Sequence, residues 1–179
     1  MTDTNLSPVL DSAIMGGGCF WCLEAVFLRV EGVHAVKSGY CGGALESPSY
    51  RQVCSGTSGH AEVVKIDFDP AVVSYRALLE IFFTIHDPTT PDRQGNDVGS
   101  QYRSVIFATS AAQLESARAL IKEMGASGAF AAPIVTQVEP APTFWPAEFI
   151  YRHVLYDNHI QPVVELDPAL KGAKFHARF

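Results

Sequence analysis

Ser12-Ala13-Ile14-Met15-Gly16-Gly17-Gly18-Cys19-Phe20-Trp21-Cys22-Leu23-Glu24-Ala25-Val26-Phe27 is the stretch that decides how this chain folds. Ser12–Met15 reads as a short strand, the three glycines let the backbone turn sharply, and a helix follows from about Phe20 to Val30. Phe20, Leu23, Phe27 and Val30 recur at helical spacing and form its apolar stripe. Cys19 stands at the start of that helix, among backbone N–H groups without intrahelical partners and at the positive end of the dipole. Both favour thiolate over thiol, which makes Cys19 a candidate nucleophile. Phe20 and Trp21 offer two aromatic faces beside it. Cys22 stands one turn on, where a second sulfur could trap what the first forms. A weakly polar group that reacts with a thiol is the implied substrate.

Outward from this unit, elements alternate. Strands are expected at about Val33–Ser38 and Glu62–Phe68, separated by a Gly/Ser/Cys loop that contains Tyr40, Cys41, Tyr50 and Cys54. Ser74 caps a helix with Tyr75, Leu78, Leu79 and Phe82 on its core face. Asp87–Gln101 is a long polar loop, Ser104–Ala108 a strand, and Ser110 the cap of a helix with Leu114, Ala117, Ile121 and Met124 inward. A last strand is expected at Pro133–Val138. The pattern predicts an α/β (α+β) fold, a two-layer sandwich of a mixed β-sheet with packed helices and long active-site loops, in one domain over 1–179. Residues 1–11 are expected to be a flexible N-terminus and 139–179 an irregular C-terminal segment. Gly16-Gly17-Gly18 lacks the spacing of a dinucleotide fingerprint. Loops of fifteen residues in a compact domain are usually functional, which directs attention to Cys41–His60 and Asp87–Gln101.

Composition narrows the partners. The chain has 179 residues, 47% of them hydrophobic, enough for a core without staples. A net charge of -6 argues against nucleic acid or an anionic membrane surface as partner. The first dozen residues lack the basic and apolar runs of a signal peptide, and no later stretch is long and apolar enough for a bilayer, so a cytoplasmic location is expected. Four cysteines in a reducing compartment point to catalysis or metal rather than a disulfide framework.

Several separated motifs carry a resemblance. Gly18-Cys19-Phe20-Trp21, Gly39-Tyr40-Cys41-Gly42-Gly43, Thr57-Ser58-Gly59-His60-Ala61-Glu62 and Arg93-Gln94-Gly95-Asn96-Asp97-Val98-Gly99-Ser100-Gln101-Tyr102-Arg103 resemble the successive signatures of methionine sulfoxide reductase A. Phe144-Trp145-Pro146-Ala147-Glu148 resembles that family's later aromatic-Pro-Ala-Glu motif. The resemblance implies a peptide-methionine (S)-S-oxide reductase that repairs oxidised proteins. Its substrate would be methionine-S-sulfoxide, free or in proteins, and it would need no metal or organic cofactor, with thioredoxin or another dithiol as external reductant and a monomeric state.

Reduction of a sulfoxide by a thiol requires attack at electrophilic sulfur while the oxygen gains a proton, because O²⁻ is not a feasible leaving group. In the family's pattern Cys19 attacks and Glu62 is the acid, its pKa raised by an aromatic, partly desolvated pocket. Tyr40 and Tyr102 match the phenols that hold the oxygen, and Asp97 matches the acid that positions substrate. Phe20 and Trp21 would hold the substrate methyl, although Phe20 also lies on the core stripe. His60, His86, His153 and His159 read as structural. The products are methionine and a Cys19 sulfenic acid.

Regeneration departs from the family. Val163 and Val164 stand where related tails often place the resolving cysteine, and after Cys54 there is none. Cys22 replaces the usual glycine and gives the Cys-x-x-Cys redox spacing, which favours it as resolver, with Cys41 and Cys54 as alternatives. Two other classes stay open: a general dithiol-disulfide oxidoreductase using Cys19 and Cys22, and a cysteine-bound zinc module using all four thiols.

Overall fold

The structure is a computed structural model, and it describes residues 9–149. His153, His159, Val163 and Val164 lie outside the described residues. In chain order the elements are β1 (Asp11–Gly16), α1 (Phe20–Phe27), β2 (Val33–Cys41), α2 (Tyr50–Cys54), β3 (Ala61–Phe68) and α3 (Tyr75–Ile85). They continue with β4 (Arg93–Gln94), β5 (Asp97–Val98), a 3-10 turn at Ser100–Tyr102, β6 (Val105–Ala108), α4 (Ala111–Ser127), β7 (Gln137–Pro140) and β8 (Trp145–Pro146). Six strands form one sheet in the order β7-β6-β1-β3-β2-β8. All neighbours are antiparallel except β6 and β7, which run parallel, so the sheet is mixed as expected.

Strand alternation sorts the side chains into two clusters. Ala13, Met15, Val36, Tyr40, Val64, Ile66, Phe68 and Ile106 face the helices and pack with Phe20, Leu23, Leu79 and Phe82. Ile14, Cys41, Ala61, Val63, Val105 and Phe107 face the other way, where Ala141 and Phe144 cover them. Helix α1 lies on β2 and β3, and α4 on β6, β7 and α3.

Several boundaries differ from the sequence expectation for local reasons. Helix α1 stops at Phe27 because the amides of Arg29 and Val30 bond three residues back, to Val26 and Phe27, which tightens the last turn. Tyr40 and Cys41 belong to no loop: β2 stays paired with β3 through Cys41↔Ala61. Within the expected loop, Ser49 and Gln52 make a reciprocal capping box that starts α2. The Asp87–Gln101 segment contains the β4–β5 hairpin. On α4 the buried residues are Gln113, Ala117 and Leu120, whereas Leu114, Ile121 and Met124 are half-buried.

The last strands depart furthest. Val135 donates to Pro88 O and Gln137 to Ser104 O, so pairing with β6 begins only at Gln137 and not at Pro133. In its described part the segment from 139 ends β7 and, after 141–144 in no strand, adds Trp145–Pro146 to the free side of β2. At the other end, Asp11 already pairs with Phe68.

Candidate active site

The glycine turn brings three parts of the chain within reach of Cys19. A Cβ on Gly16 would sit 2.6 Å from the carbonyl oxygen of Glu62, so only glycine lets the end of β1 press against β3 there. Gly18 has φ +97°, and a Cβ on it would sit 2.6 Å from Gln94 Cγ, which lets the β4–β5 hairpin close over the turn. Cys19 is then the N-cap of α1, with the Cys22 amide donating to its carbonyl at 3.1 Å.

Cys19 and Cys22 are both free, both half-buried and hydrogen-bonded to each other through their sulfurs. The Trp21 and Cys22 backbone N–H groups lower the Cys19 pKa, as a helix start should. The hydrogen bond to Cys22 and burial outweigh them, so the Cys19 thiol is raised above its ordinary value. Cys22 is lowered, chiefly by the hydrogen bond from Cys19. The helix start and the second sulfur therefore pull the Cys19 thiol in opposite directions.

Glu62, second residue of β3, is 1% exposed and accepts the Phe20 N–H on Oε2 at 3.2 Å. Phe20 is the first helical residue, so its N–H has no partner inside the helix. Burial, then the nearby Cys19 and Asp97 charges, push the Glu62 pKa up to about 8 against the opposing Phe20 N–H. Glu62 is therefore largely protonated at neutral pH and able to donate.

Aromatic rings line one flank. Phe20 lies 5.9 Å from Trp21, 5.8 Å from Tyr40 and 6.3 Å from Tyr50, and Trp21 stacks on Tyr50 at 6.3 Å with 20° between planes. Phe20 is fully buried, so it backs the flank, whereas half-buried Trp21 presents surface. Tyr40 sits opposite Glu62 in the β2–β3 register. The half-buried Tyr102, in the 3-10 turn, has its pKa pushed up to about 12 by burial and then by Glu62. On the other flank a cavity of about 400 Å³ is bounded by Cys19, Cys22, Leu23, Val26, Gln94 and Asp97. Asp97 is exposed and acts through its charge on Cys22, Glu62 and Tyr102.

The remaining thiols and imidazoles are held elsewhere. Cys41, next to Tyr40 in sequence, points to the opposite sheet face, where its sulfur donates to the Thr143 carbonyl at 3.5 Å. Burial pushes that thiol up to about 11. Cys54 ends α2, is exposed, and is hydrogen-bonded to the Tyr50 hydroxyl. His60 accepts the Gly43 N–H at 3.1 Å and donates to Leu45 O at 2.7 Å, pinning the loop between β2 and β3. His86 donates to Phe82 O at 2.6 Å and accepts from Ser104 Oγ at 2.7 Å; burial drops its pKa to about 4. Among the described residues no three His, Cys, Asp or Glu side chains gather closely enough to hold a metal ion.

Two residues stand at the site whose place there the sequence does not announce. Tyr50 lies within the expected loop but opens α2, and the Ser49-x-x-Gln52 capping signature is the signal for that helix. Glu148 ends the Phe144–Glu148 motif, but it reaches Tyr40 through long-range pairing of β8, a contact the motif does not show.

The family model for peptide methionine sulfoxide reductase matches residues 11–179. A relative from Chromobacterium violaceum named peptide methionine sulfoxide reductase MsrA is 53% identical over 170 residues, covering 95% of this chain and 97% of its own. One of the same name from Sulfolobus acidocaldarius is 51% identical, covering 95% of this chain and 96% of its own. Among solved structures, methionine sulfoxide reductase A of Corynebacterium diphtheriae superposes with a TM-score of 0.80 at 32% identity, covering 86% of this chain and 77% of its own. Mxr1 from Saccharomyces cerevisiae in reduced form gives 0.78 at 34% identity, covering 84% of this chain and 86% of its own.

Proposed function

The chain belongs to the peptide methionine sulfoxide reductase family, and from that premise we propose that Cys19 reduces methionine-S-sulfoxide, free or in proteins, with Glu62 as the acid. The observation that carries the assignment is Glu62: a carboxyl 1% exposed, tied to the first helical N–H, and still protonated near neutrality. A buried acid beside a thiol pair is what proton delivery to a sulfoxide oxygen requires.

The step begins from the thiol pair with one proton lost: the Cys19 proton passes to the Cys22 thiolate, which leaves thiolate on Cys19. That thiolate attacks the sulfoxide sulfur while Glu62 protonates the oxygen, with Tyr40 and Tyr102 as further donors to it and Asp97 positioning the substrate. Trp21, backed by Phe20 and Tyr50, holds the methyl by dispersion. Oxygen passes to Cys19 as a sulfenic acid and methionine is released. Cys22 then displaces water from the sulfenic acid to form a Cys19–Cys22 disulfide. Its support is the hydrogen bond already joining the two sulfurs. The cavity beside both sulfurs leaves the disulfide open to the dithiol of thioredoxin.

With Trp21 for the methyl and Glu62, Tyr40 and Tyr102 for the oxygen as separate fixed groups, only one epimer presents methyl, oxygen and lone pair correctly together. Incubation of resolved epimers with enzyme and dithiol should consume the S form and leave the R form. Equal consumption would show that the methyl and oxygen groups are wrongly assigned. Peptide mapping after one turnover should recover Cys19 linked to Cys22.

A further inference from the structure

Tyr40 has no exposed surface, yet its hydroxyl is committed. It donates to Glu148 Oε2 at 3.3 Å. The other oxygen of that carboxylate, Oε1, accepts the Tyr50 N–H at 2.9 Å, where α2 begins. Glu148 is exposed and is delivered by β8, in which Trp145 pairs with Tyr40 and Pro146 with Gly39, followed by an Ala147 N–H bond to Ser38 O at 3.0 Å. A phenol has one proton to give. Burial and the Glu148 charge hold the Tyr40 pKa above its ordinary value, so that proton stays in place.

A sulfoxide oxygen only accepts, so it can be bound by Tyr40 only through the O–H that Glu148 already holds. We propose that Glu148 is a competing acceptor for the Tyr40 hydroxyl: the O–H turns from Glu148 to the substrate oxygen when sulfoxide enters, and returns when product forms. This rests on reading Tyr40 as a donor to the sulfoxide oxygen. The product thioether is a weak acceptor, and a buried hydroxyl without a partner is costly. Glu148 meets that need in every state of the cycle in which no sulfoxide oxygen is present. The Tyr50 amide keeps the carboxylate from following the phenol as it turns. Because a hydrogen bond to a carboxylate is stronger than one to a neutral oxygen, the exchange weakens substrate binding. Glu148 is thus a positioning residue that acts through Tyr40.

The test is the half-saturation of single-turnover reduction, measured with a methionine-S-sulfoxide peptide for the parent, Glu148→Gln, Glu148→Ala, Tyr40→Phe and the double variants. Replacing the carboxylate by a neutral acceptor in Glu148→Gln should lower half-saturation about three- to ten-fold. Glu148→Ala should move it in the same direction. In the Tyr40→Phe background neither change should alter half-saturation, because the contested proton is gone. A strap that only holds β8 and α2 together would raise half-saturation in both backgrounds. An unchanged or raised value for Glu148→Gln, or an equal fall with and without the Tyr40 hydroxyl, overturns the proposal. If Tyr40→Phe alone leaves both rate and half-saturation at parent values, the oxygen-donor role of Tyr40 fails first, which is a separate result.

Discussion

The two flanks of Cys19 are built from different material. On one, Phe20, Tyr40 and Glu62 are buried on a sheet face and an adjoining helix, with Trp21 and Tyr50 stacked at the rim. On the other, Cys22 and Asp97 border a cavity roofed by the short β4–β5 hairpin, whose residues are mostly exposed. The closed flank keeps a carboxyl protonated; the open one lets a macromolecule reach a sulfur. Proton delivery to a poorly basic oxygen and attack by an external thiol make opposite demands on solvent, and the chain separates them by one helical turn.

Four experiments bear on this division. The largest effect is expected from Cys19→Ser, which belongs to both flanks: a serine hydroxyl is too basic to attack sulfur at neutral pH, so no methionine should form even in a single turnover. Retained activity in that variant would end the assignment. Next, Cys22→Ser should release about one equivalent of methionine per enzyme and then stop cycling with thioredoxin, while Cys41→Ser and Cys54→Ser continue. If Cys54→Ser stalls and Cys22→Ser cycles, the open flank has been given the wrong sulfur.

On the closed flank, Glu62→Gln should slow the first step by about 10²–10⁴ in rapid-quench measurements, the usual worth of a positioned acid. A parent-like rate would remove Glu62 from the chemistry. The smallest expected effect concerns stability. The folded-state pKa of Glu62, about 8, lies above its ordinary 4.5, so between these values the native state holds a proton that the unfolded chain gives up. Stability from this group is therefore full below about pH 4.5, declines as pH rises, and is gone above about 8. Thermal melts of parent and Glu62→Gln should coincide near pH 4 and diverge by pH 8.5 with the glutamine variant higher. Parallel curves would mean that Glu62 is solvated.

Local signals made much of this legible. The glycine run and the stripe of α1 follow from spacing alone; Glu62, on the face of Val64 and Ile66, reads on pattern alone as a solvated strand-end charge, and only the Thr57-Ser58-Gly59-His60 motif before it marks it. The family motifs supplied Tyr40, Tyr102 and Asp97, which the fold brings to the same end of the sheet. Pairing information was missing. Whether Tyr40 and Cys41 continue a strand depends on β3, and once they do, the pleat must put their side chains on opposite faces, which takes the Cys41 sulfur away from Cys19. The Cys19–Cys22 proton balance was equally hidden, because a helix-start argument sees the backbone but not the second sulfur. Glu148 depends on an edge pairing 108 residues away from Tyr40 in sequence.

Both outermost strands of the described sheet, β7 and β8, are four and two residues long, and each contains a proline, Pro140 or Pro146. A proline offers no N–H to an incoming strand, and so short an edge templates little further pairing. Oxidised methionines are often carried by damaged polypeptides with exposed extended segments, which readily add to any open sheet. Terminated this way, the margins of the described sheet offer little pairing to extended segments of the material the enzyme repairs.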